Sequence, residues 1–186
     1  MNNKILIGAV VMVTSVTLVV SGIAFADRDE EEHGLFTRTG GVSVVSSKLY
    51  ATECGSCHFA YQAGWLPARS WEKIMGTLDQ HFGENAELDQ NSAEAITRYL
   101  VAEAADIKPN RKSHKILRSI AEGESPVRIS TLSYIMNKHD EIPKRYIEGN
   151  PKVASRANCT ACHTEASKGY FNEHGVNVPG YGFWED

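Results

Sequence analysis

The sequence lacks the features of a nucleic-acid-binding protein and of a protein that crosses a membrane several times. Its 186 residues carry 19 basic and 23 acidic side chains, and no basic stripe runs along the chain. Binding to a phosphate backbone is therefore not expected. Only one run, residues 5–20, is apolar and long enough to approach a membrane span. The remainder of the chain is expected to be soluble.

That single apolar run belongs to a predicted signal peptide, residues 1–26. One basic residue, Lys4, precedes it, and the small-residue site Ala24-Phe25-Ala26 follows it, so cleavage is expected near Ala26/Asp27. The alternative is an uncleaved membrane anchor. Cleavage predicts a periplasmic protein that does not span the membrane. Loss of Lys4 leaves 18 basic against 23 acidic residues, a net charge of −5, which favours a partner with a positive docking rim.

Cysteine is also scarce, and the positions of the cysteines are informative. All four cysteines fall in two copies of one motif, Cys-Gly-Ser-Cys-His at residues 54–58 and Cys-Thr-Ala-Cys-His at residues 159–163. C-x-x-C-H is the attachment signature of c-type haem, in which both thiols bond the porphyrin edge and the imidazole reaches the iron. The sequence therefore predicts two covalently attached haem c groups. Their predicted thioether residues are Cys54, Cys57, Cys159 and Cys162, and their predicted iron ligands are His58 and His163.

Three other interpretations of the cysteines can be compared with haem attachment. Four thiolates could bind one zinc ion, or the thiols could form two disulfides in any of three pairings. Neither arrangement explains why a histidine follows each cysteine pair. A thioredoxin-like redox motif requires a βαβ context, and no such pattern surrounds either motif.

Each iron needs a sixth ligand, and two further histidines are candidates. His81 and His139 each close an apolar stripe on a predicted helix, over residues 71–82 and about 130–140 respectively. Imidazole is a common iron ligand. We predict His58 with His81 on one iron and His163 with His139 on the other, although the spacing also allows a crossed pairing.

The other candidate ligands fit less well. Met75 and Met136 are the only methionines outside the leader, and both lie on apolar stripes where methionine usually fills a core. His33 sits in an acidic run, His114 in a polar stretch, and His174 in a loop. The sequence therefore favours bis-histidine irons of low reduction potential.

The pattern predicts a mostly α-helical chain with much irregular loop and two haem-bearing helical lobes. Residues 27–45 are expected to form an acidic flexible leader, 46–107 the first haem lobe, 108–126 a connector, and 127–186 the second haem lobe. The connector loses periodicity over residues 106–125 and gathers proline, glycine and basic residues. Its basic patch is interpreted as a solvated surface, with docking or pairing to haem propionates as the alternative. The patch comprises Lys108, Arg111, Lys112 and Lys115.

The chain resembles the bacterial dihaem cytochrome c family (DHC) from about Tyr50 to Pro179. The resemblance is carried by residues 53–58, 66–71, 81–83, 128–130 with His139, and 158–163. It implies a helical, two-domain periplasmic cytochrome with two bis-histidine haems, and His81 and His139 match the family's distal ligands. It also implies a membrane b-type cytochrome as donor and a small soluble cytochrome as acceptor. Gln62-Ala63-Gly64 departs from the family's proline-rich step after the first motif.

The functional prediction is electron transfer without catalysis. An iron with two imidazoles has no open position for a substrate, so outer-sphere electron exchange is the natural activity. The alternatives are a dihaem peroxidase-like enzyme, in which one iron keeps an open position, a haem-based sensor, or a cytochrome subunit of a larger oxidoreductase.

Overall fold

The computed structural model describes residues 41–184 and confirms a mostly helical chain with irregular loops. The predicted signal peptide, its cleavage site, most of the acidic leader and His33 lie outside the described residues. The α-helices of the described part are α1 Lys48–Glu53, α2 Ala68–Met75, α3 Gln90–Ala102, α4 Arg111–Arg118 and α5 Ser133–Asn137. Its 3₁₀ turns are Cys54–Ser56, Ala63–Trp65, Leu78–Gln80, Ile129–Thr131, Lys144–Tyr146, Cys159–Ala161, Ala166–Lys168 and Glu173–Gly175. No helix within residues 41–184 is long and apolar enough to cross a membrane.

Side-chain caps define the starts of α1 and α3. The hydroxyl of Ser47 accepts a hydrogen bond from the Tyr50 amide, and the carboxylate of Asp89 accepts one from the Ser92 amide. Each cap satisfies an amide that has no partner inside its helix.

Helix α2 ends earlier than the predicted helix over residues 71–82. It begins directly after Pro67 and stops at Met75, and the backbone of Thr77 leaves the helical region at φ −135°, ψ 36°. The Thr77 hydroxyl donates to the Lys73 carbonyl at 3.0 Å, which satisfies a carbonyl at the helix end. Gly76 and Thr77 are both poor helix formers, so the helix stops although the apolar spacing continues. His81 consequently lies beyond the helix.

Helix α4 lies inside the segment that was expected to be without periodic structure, and that expectation was wrong. The Asn110 side chain caps the helix by accepting from the Ser113 amide. Ile116 is fully buried, and the buried Ser113 hydroxyl donates to the Gly64 carbonyl at 3.3 Å. One face of α4 therefore packs inward through only two central residues, one of them polar, and for this reason the apolar pattern is weak.

The second half of the chain contains less regular structure than predicted. A 3₁₀ turn and the short α5 replace the expected helix over residues 130–140, because Leu132 adopts φ −59°, ψ 137° between them. The tail forms a small antiparallel hairpin of β1 Asn177–Val178 and β2 Gly182–Phe183, in which Val178 pairs with Gly182. Gly169 has φ 81°, and a β-carbon there would lie 2.1 Å from the Val42 carbonyl oxygen, so only glycine fits this chain crossing.

The main hydrophobic core joins residues from distant parts of the chain. It combines side chains of the first motif's segment, α2, α3, α4 and the start of the second half. The division into two lobes with a connector stays a prediction. The buried members are Val42, Tyr50, Ala63, Trp65, Leu66, Trp71, Ile96, Leu100, Ala104, Ile116, Ile129 and Leu132.

Candidate functional site

The first cysteine motif continues directly from α1. Cys54 begins the 3₁₀ turn that follows the helix, and the Ser56 hydroxyl donates to the Glu53 carbonyl at 2.8 Å. Cys54 is half-buried and Cys57 is exposed. Burial, with the nearby Glu53 carboxylate, raises the pKa of the Cys54 thiol to about 11. Because Cys54 is only half-buried and Cys57 is exposed, a large planar group can reach both thiols from the surface.

His58 lies opposite His81, 23 residues further along the chain. Their ring centroids are 6.1 Å apart and their planes differ by 12°. Two imidazoles bound to opposite sides of one metal ion, each at about 2 Å, have centroids on the order of 6 Å apart. The separation therefore fits an iron centre held between the two rings.

His81 is presented by a tight turn. Phe82 has φ 56° and Gly83 has φ 102°, and the Glu84 amide donates to the His81 carbonyl at 3.1 Å. These features match a turn of the I′ type, which requires positive φ at both central residues. A bulky residue such as Phe82 is rare in this region and costs energy there. The turn is therefore strained directly beside His81.

An arginine from the second half covers this strained turn. The guanidinium carbon of Arg128 lies 4.2 Å from the centroid of the Phe82 ring, and that ring stands edge-on to His81 at 4.8 Å. Arg128 is held in place by its carbonyl, which accepts from the Thr131 hydroxyl at 3.0 Å. A cation–π contact of this kind contributes about 0.5–1 kcal/mol at an exposed site.

The second cysteine motif forms a similar turn in a more buried setting. Cys159 begins a 3₁₀ turn, and the His163 amide donates to the Cys159 carbonyl at 2.8 Å. Burial raises the pKa of the Cys159 thiol to about 11 and also raises that of Cys162. The Ser155 hydroxyl lies just before this turn and accepts a hydrogen bond from the Ala157 amide at 3.1 Å.

His163 lies opposite His139 in the same way. Their ring centroids are again 6.1 Å apart, but their planes differ by 81°. Phe171 stands edge-on to His163 at 5.5 Å and also to Trp65 at 4.9 Å, which connects this pair to the core. The structure therefore brings each motif histidine next to one of the two predicted distal histidines.

The hydrogen bonds of the histidines suit them to bind metal. The Nδ1 atom of His58 donates to the Phe59 carbonyl at 2.8 Å, and that of His139 donates to the Ile135 carbonyl at 2.7 Å. A backbone carbonyl can only accept, so each ring carries its proton on Nδ1 and leaves Nε2 available as a ligand. Burial lowers the pKa of His163 to about 4, with His139 and Lys112 adding to the effect. Burial and then His58 lower the pKa of His81.

Two residues that the sequence did not single out as binding residues connect the neighbourhoods of the motifs. The Tyr61 hydroxyl donates to the Ala157 carbonyl at 2.5 Å, and its ring lies 5.8 Å from that of His58. Gln62 is fully buried and donates to the Ala166 carbonyl at 2.6 Å, while its own carbonyl accepts from the Trp65 indole at 3.0 Å. Gln62 belongs to the segment in which the chain departs from the family's proline-rich step. The polar side chain of Gln62 in this segment was the only sign in the sequence of its connecting role.

The remaining candidates lie apart from the two histidine pairs. His114 is exposed on α4 and His174 is exposed in the 3₁₀ turn Glu173–Gly175. All four cysteines are unpaired. Within residues 41–184, no three histidine, cysteine or acidic side chains are grouped so that they could hold a bare metal ion. A shared four-thiolate zinc site is therefore absent from this part of the chain.

A mostly helical fold with two C-x-x-C-H turns, each facing a second imidazole, defines a small c-type cytochrome with two haem sites. The family model for dihaem cytochrome c matches residues 50–171. A search of curated proteins found no match. Because the family model covers more than half of the chain, the protein belongs to the dihaem cytochrome c family.

Solved structures agree with this assignment. A dihaem cytochrome type c from Shewanella baltica OS155 is 40% identical with a TM-score of 0.62, over 74% of this chain and 97% of that one. A dihaem cytochrome c from Rhodobacter sphaeroides is 45% identical with a TM-score of 0.63, over 69% of this chain and 99% of that one. The protein is therefore an electron-transfer haem protein with two covalently bound haem c groups.

Proposed function

We propose that the protein is a periplasmic carrier that exchanges single electrons between redox partners through two bis-histidine haems. In this proposal Cys54 and Cys57 bind the first haem and Cys159 and Cys162 the second. His58 and His81 would hold the first iron, and His163 and His139 would hold the second.

One observation carries the proposal: each motif histidine faces one distal histidine at a ring separation of 6.1 Å. Two separate pairs with this spacing support the uncrossed assignment, in which no ligand is exchanged between the motifs. The Nδ1 hydrogen bonds of His58 and His139 add to this support because they leave Nε2 unprotonated.

The side chains explain why transfer without catalysis is favoured. The haem iron supplies a reversible one-electron couple. The paired imidazoles would hold each iron and would leave no open position for a substrate or an exogenous ligand. Cys57 and His58 are exposed, so the edge of the first site faces solvent, where a partner can approach.

The location and partners rest on the predicted export segment and on the family. Haem attachment to C-x-x-C-H and a leader with an Ala-x-Ala site are both features of exported proteins. The proposed partners are a membrane b-type cytochrome as donor and a small soluble cytochrome as acceptor. A mature protein that begins near Asp27 and carries the mass of two haems would support this part of the proposal.

The ligand assignment can be tested by substitution of His81 and His139 with alanine, one at a time, in the holoprotein. Each variant is expected to convert one of the two ferric haems from low spin to high spin in visible and paramagnetic resonance spectra. His114→Ala and His174→Ala are matched controls because both histidines lie outside the two pairs. Low-spin spectra that are unchanged in both His81→Ala and His139→Ala would contradict the assignment.

A further inference from the structure

The charges of the described chain are divided between its two halves. Residues 41–107 contain nine acidic and four basic side chains, whereas residues 108–184 contain seven acidic and twelve basic ones. The two halves therefore carry formal charges of −5 and +5. The acid excess of the whole mature chain arises from residues outside this range. A partner of the second half meets an electrostatic field opposite to that of the first half.

A cationic cleft of about 430 Å³ lies in the positive half. Lys115 and Arg118 belong to α4, and Lys138 is the residue that caps the end of α5. Among the described residues that line it, the other three are the neutral polar Ser119, Tyr134 and Asn137. Two separate helices thus bring three cations around one open depression, and its described lining contains no carboxylate.

The cleft lies beside the second histidine pair. Lys138 immediately precedes His139 in the chain. Lys112 lies one helical turn before Lys115 on α4, and its ammonium is 5.9 Å from the Phe171 ring, which itself contacts His163. An anionic molecule seated in the cleft would therefore be close to the second redox centre.

The surface around the cleft has the composition of a docking site. An aromatic ring, Tyr134 of α5, and an arginine, Arg118 of α4, both line the cleft. Interfaces are enriched in methionine, aromatic residues and arginine. Lys138 is paired with Glu173 at 3.4 Å, but both side chains are exposed. Such a pair contributes little and can be exchanged for a partner's carboxylate.

We propose that the cleft formed by Lys115, Arg118 and Lys138 is the docking site for a redox protein whose contact surface is acidic. Electrons are exchanged there with the second haem, one electron passing between the partner's redox centre and the iron. The inference rests on the proposed function, because it requires a haem at the second histidine pair. It assigns an acidic partner to the positive second half, whereas the negative first half favours a partner with a positive surface.

The test compares two triple variants of the holoprotein that carry the same change in charge. The cleft variant is Lys115→Glu, Arg118→Glu, Lys138→Glu. The control variant is Lys144→Glu, Lys152→Glu, Lys168→Glu, which alters exposed lysines of the same half outside the cleft. The probe is a reduced plant-type [2Fe–2S] ferredoxin, an acidic one-electron donor, and the measured quantity is its rate constant for reduction of the ferric protein.

The cleft variant is expected to lower this rate constant about tenfold or more at low ionic strength, with a much smaller effect in the control. The difference should disappear near 0.5 M salt, where the Debye length falls to a few ångströms, roughly 4 Å. Hexacyanochromate(III), a redox-inert paramagnetic trianion, should broaden the amide signals of residues 115–119 and 137–139 in the reduced protein.

Equal slowing in both variants would overturn the proposal, because net charge would then account for the rate. A shifted midpoint potential of the second haem with unchanged rates would also overturn it and would show that the cations neutralise the carboxylates of the haem itself. Low-spin visible spectra of every variant separate these results from a failure of the proposed function, in which the histidine ligation itself would be absent.

Discussion

The two histidine pairs share one separation but differ in how the chain holds them. The planes of His58 and His81 are nearly parallel at 12°, whereas those of His139 and His163 are nearly perpendicular at 81°. His58 is exposed, whereas His163 packs against Phe171. Two copies of the same five-residue motif therefore hold their histidines differently, because the surrounding fold determines the orientation and burial of each pair.

The two proposed distal ligands are also held differently by the chain. His81 follows a 3₁₀ turn and is held by a strained turn under Arg128, whereas His139 lies just past the end of α5 and is oriented by a hydrogen bond to Ile135. The first site depends on a contact that comes from a distant part of the sequence. The second depends on the helix that carries its own ligand. Substitutions should therefore affect the two sites selectively.

Removal of the cysteine pairs should have the largest effect. Cys54→Ser with Cys57→Ser, or Cys159→Ser with Cys162→Ser, is expected to remove one haem and part of the helical structure. A small chain relies on its cofactors for apolar surface that side chains alone do not supply. Mass spectrometry and circular dichroism measure the two effects. Thr160→Ala, at an exposed variable position of the second motif, should retain both haems. A double variant with unchanged helicity would contradict the structural part of the prediction.

Gln62→Leu should destabilise the fold and affect both sites together. The substitution leaves the buried Trp65 indole without a partner, at a cost of about 1–3 kcal/mol. It also removes one of two hydrogen bonds to the Ala166 carbonyl, which keeps the bond from the Gly169 amide. Denaturant unfolding of the holoprotein measures the loss. Gln90→Leu is the matched control, because the exposed Gln90 side chain donates to Glu94 at the start of α3, so its change should stay within about 0.5 kcal/mol. Equal stability of the two variants would show that the buried amide does not join the halves.

Arg128→Ala should affect the first site alone and by a smaller amount. Loss of the cation–π contact, about 0.5–1 kcal/mol, is expected to loosen the turn and speed the displacement of His81 by carbon monoxide roughly two- to fivefold. Stopped-flow spectroscopy of the reduced protein measures this rate. Arg145→Ala is the control, because its guanidinium lies over Tyr146 at 4.6 Å, away from His81. Similar acceleration in both variants would contradict a local role for Arg128.

The sequence predicted the residues that form the sites better than the helices and turns that position them. The doubled C-x-x-C-H motif predicts both haems because few other arrangements place a histidine after each cysteine pair. His81 and His139 were proposed from helical stripes, but His81 lies beyond its helix because Gly76 and Thr77 end it. Helix α4 was missed because its buried face contains Ser113 in place of an apolar residue. Neither the strain at Phe82 nor the burial of Gln62 could be predicted, since both depend on contacts distant in sequence.

Electron paramagnetic resonance of the ferric holoprotein tests the central claim most directly. If the proposed histidines hold the irons, the nearly parallel rings of His58 and His81 would split the d-orbitals that accept their π-density. The nearly perpendicular rings of His139 and His163 would leave these orbitals nearly degenerate. We therefore predict two low-spin signals of equal intensity, one rhombic and one dominated by a single large g value. A high-spin signal that accounts for one of the two irons would contradict the account, because that iron would lack its second histidine.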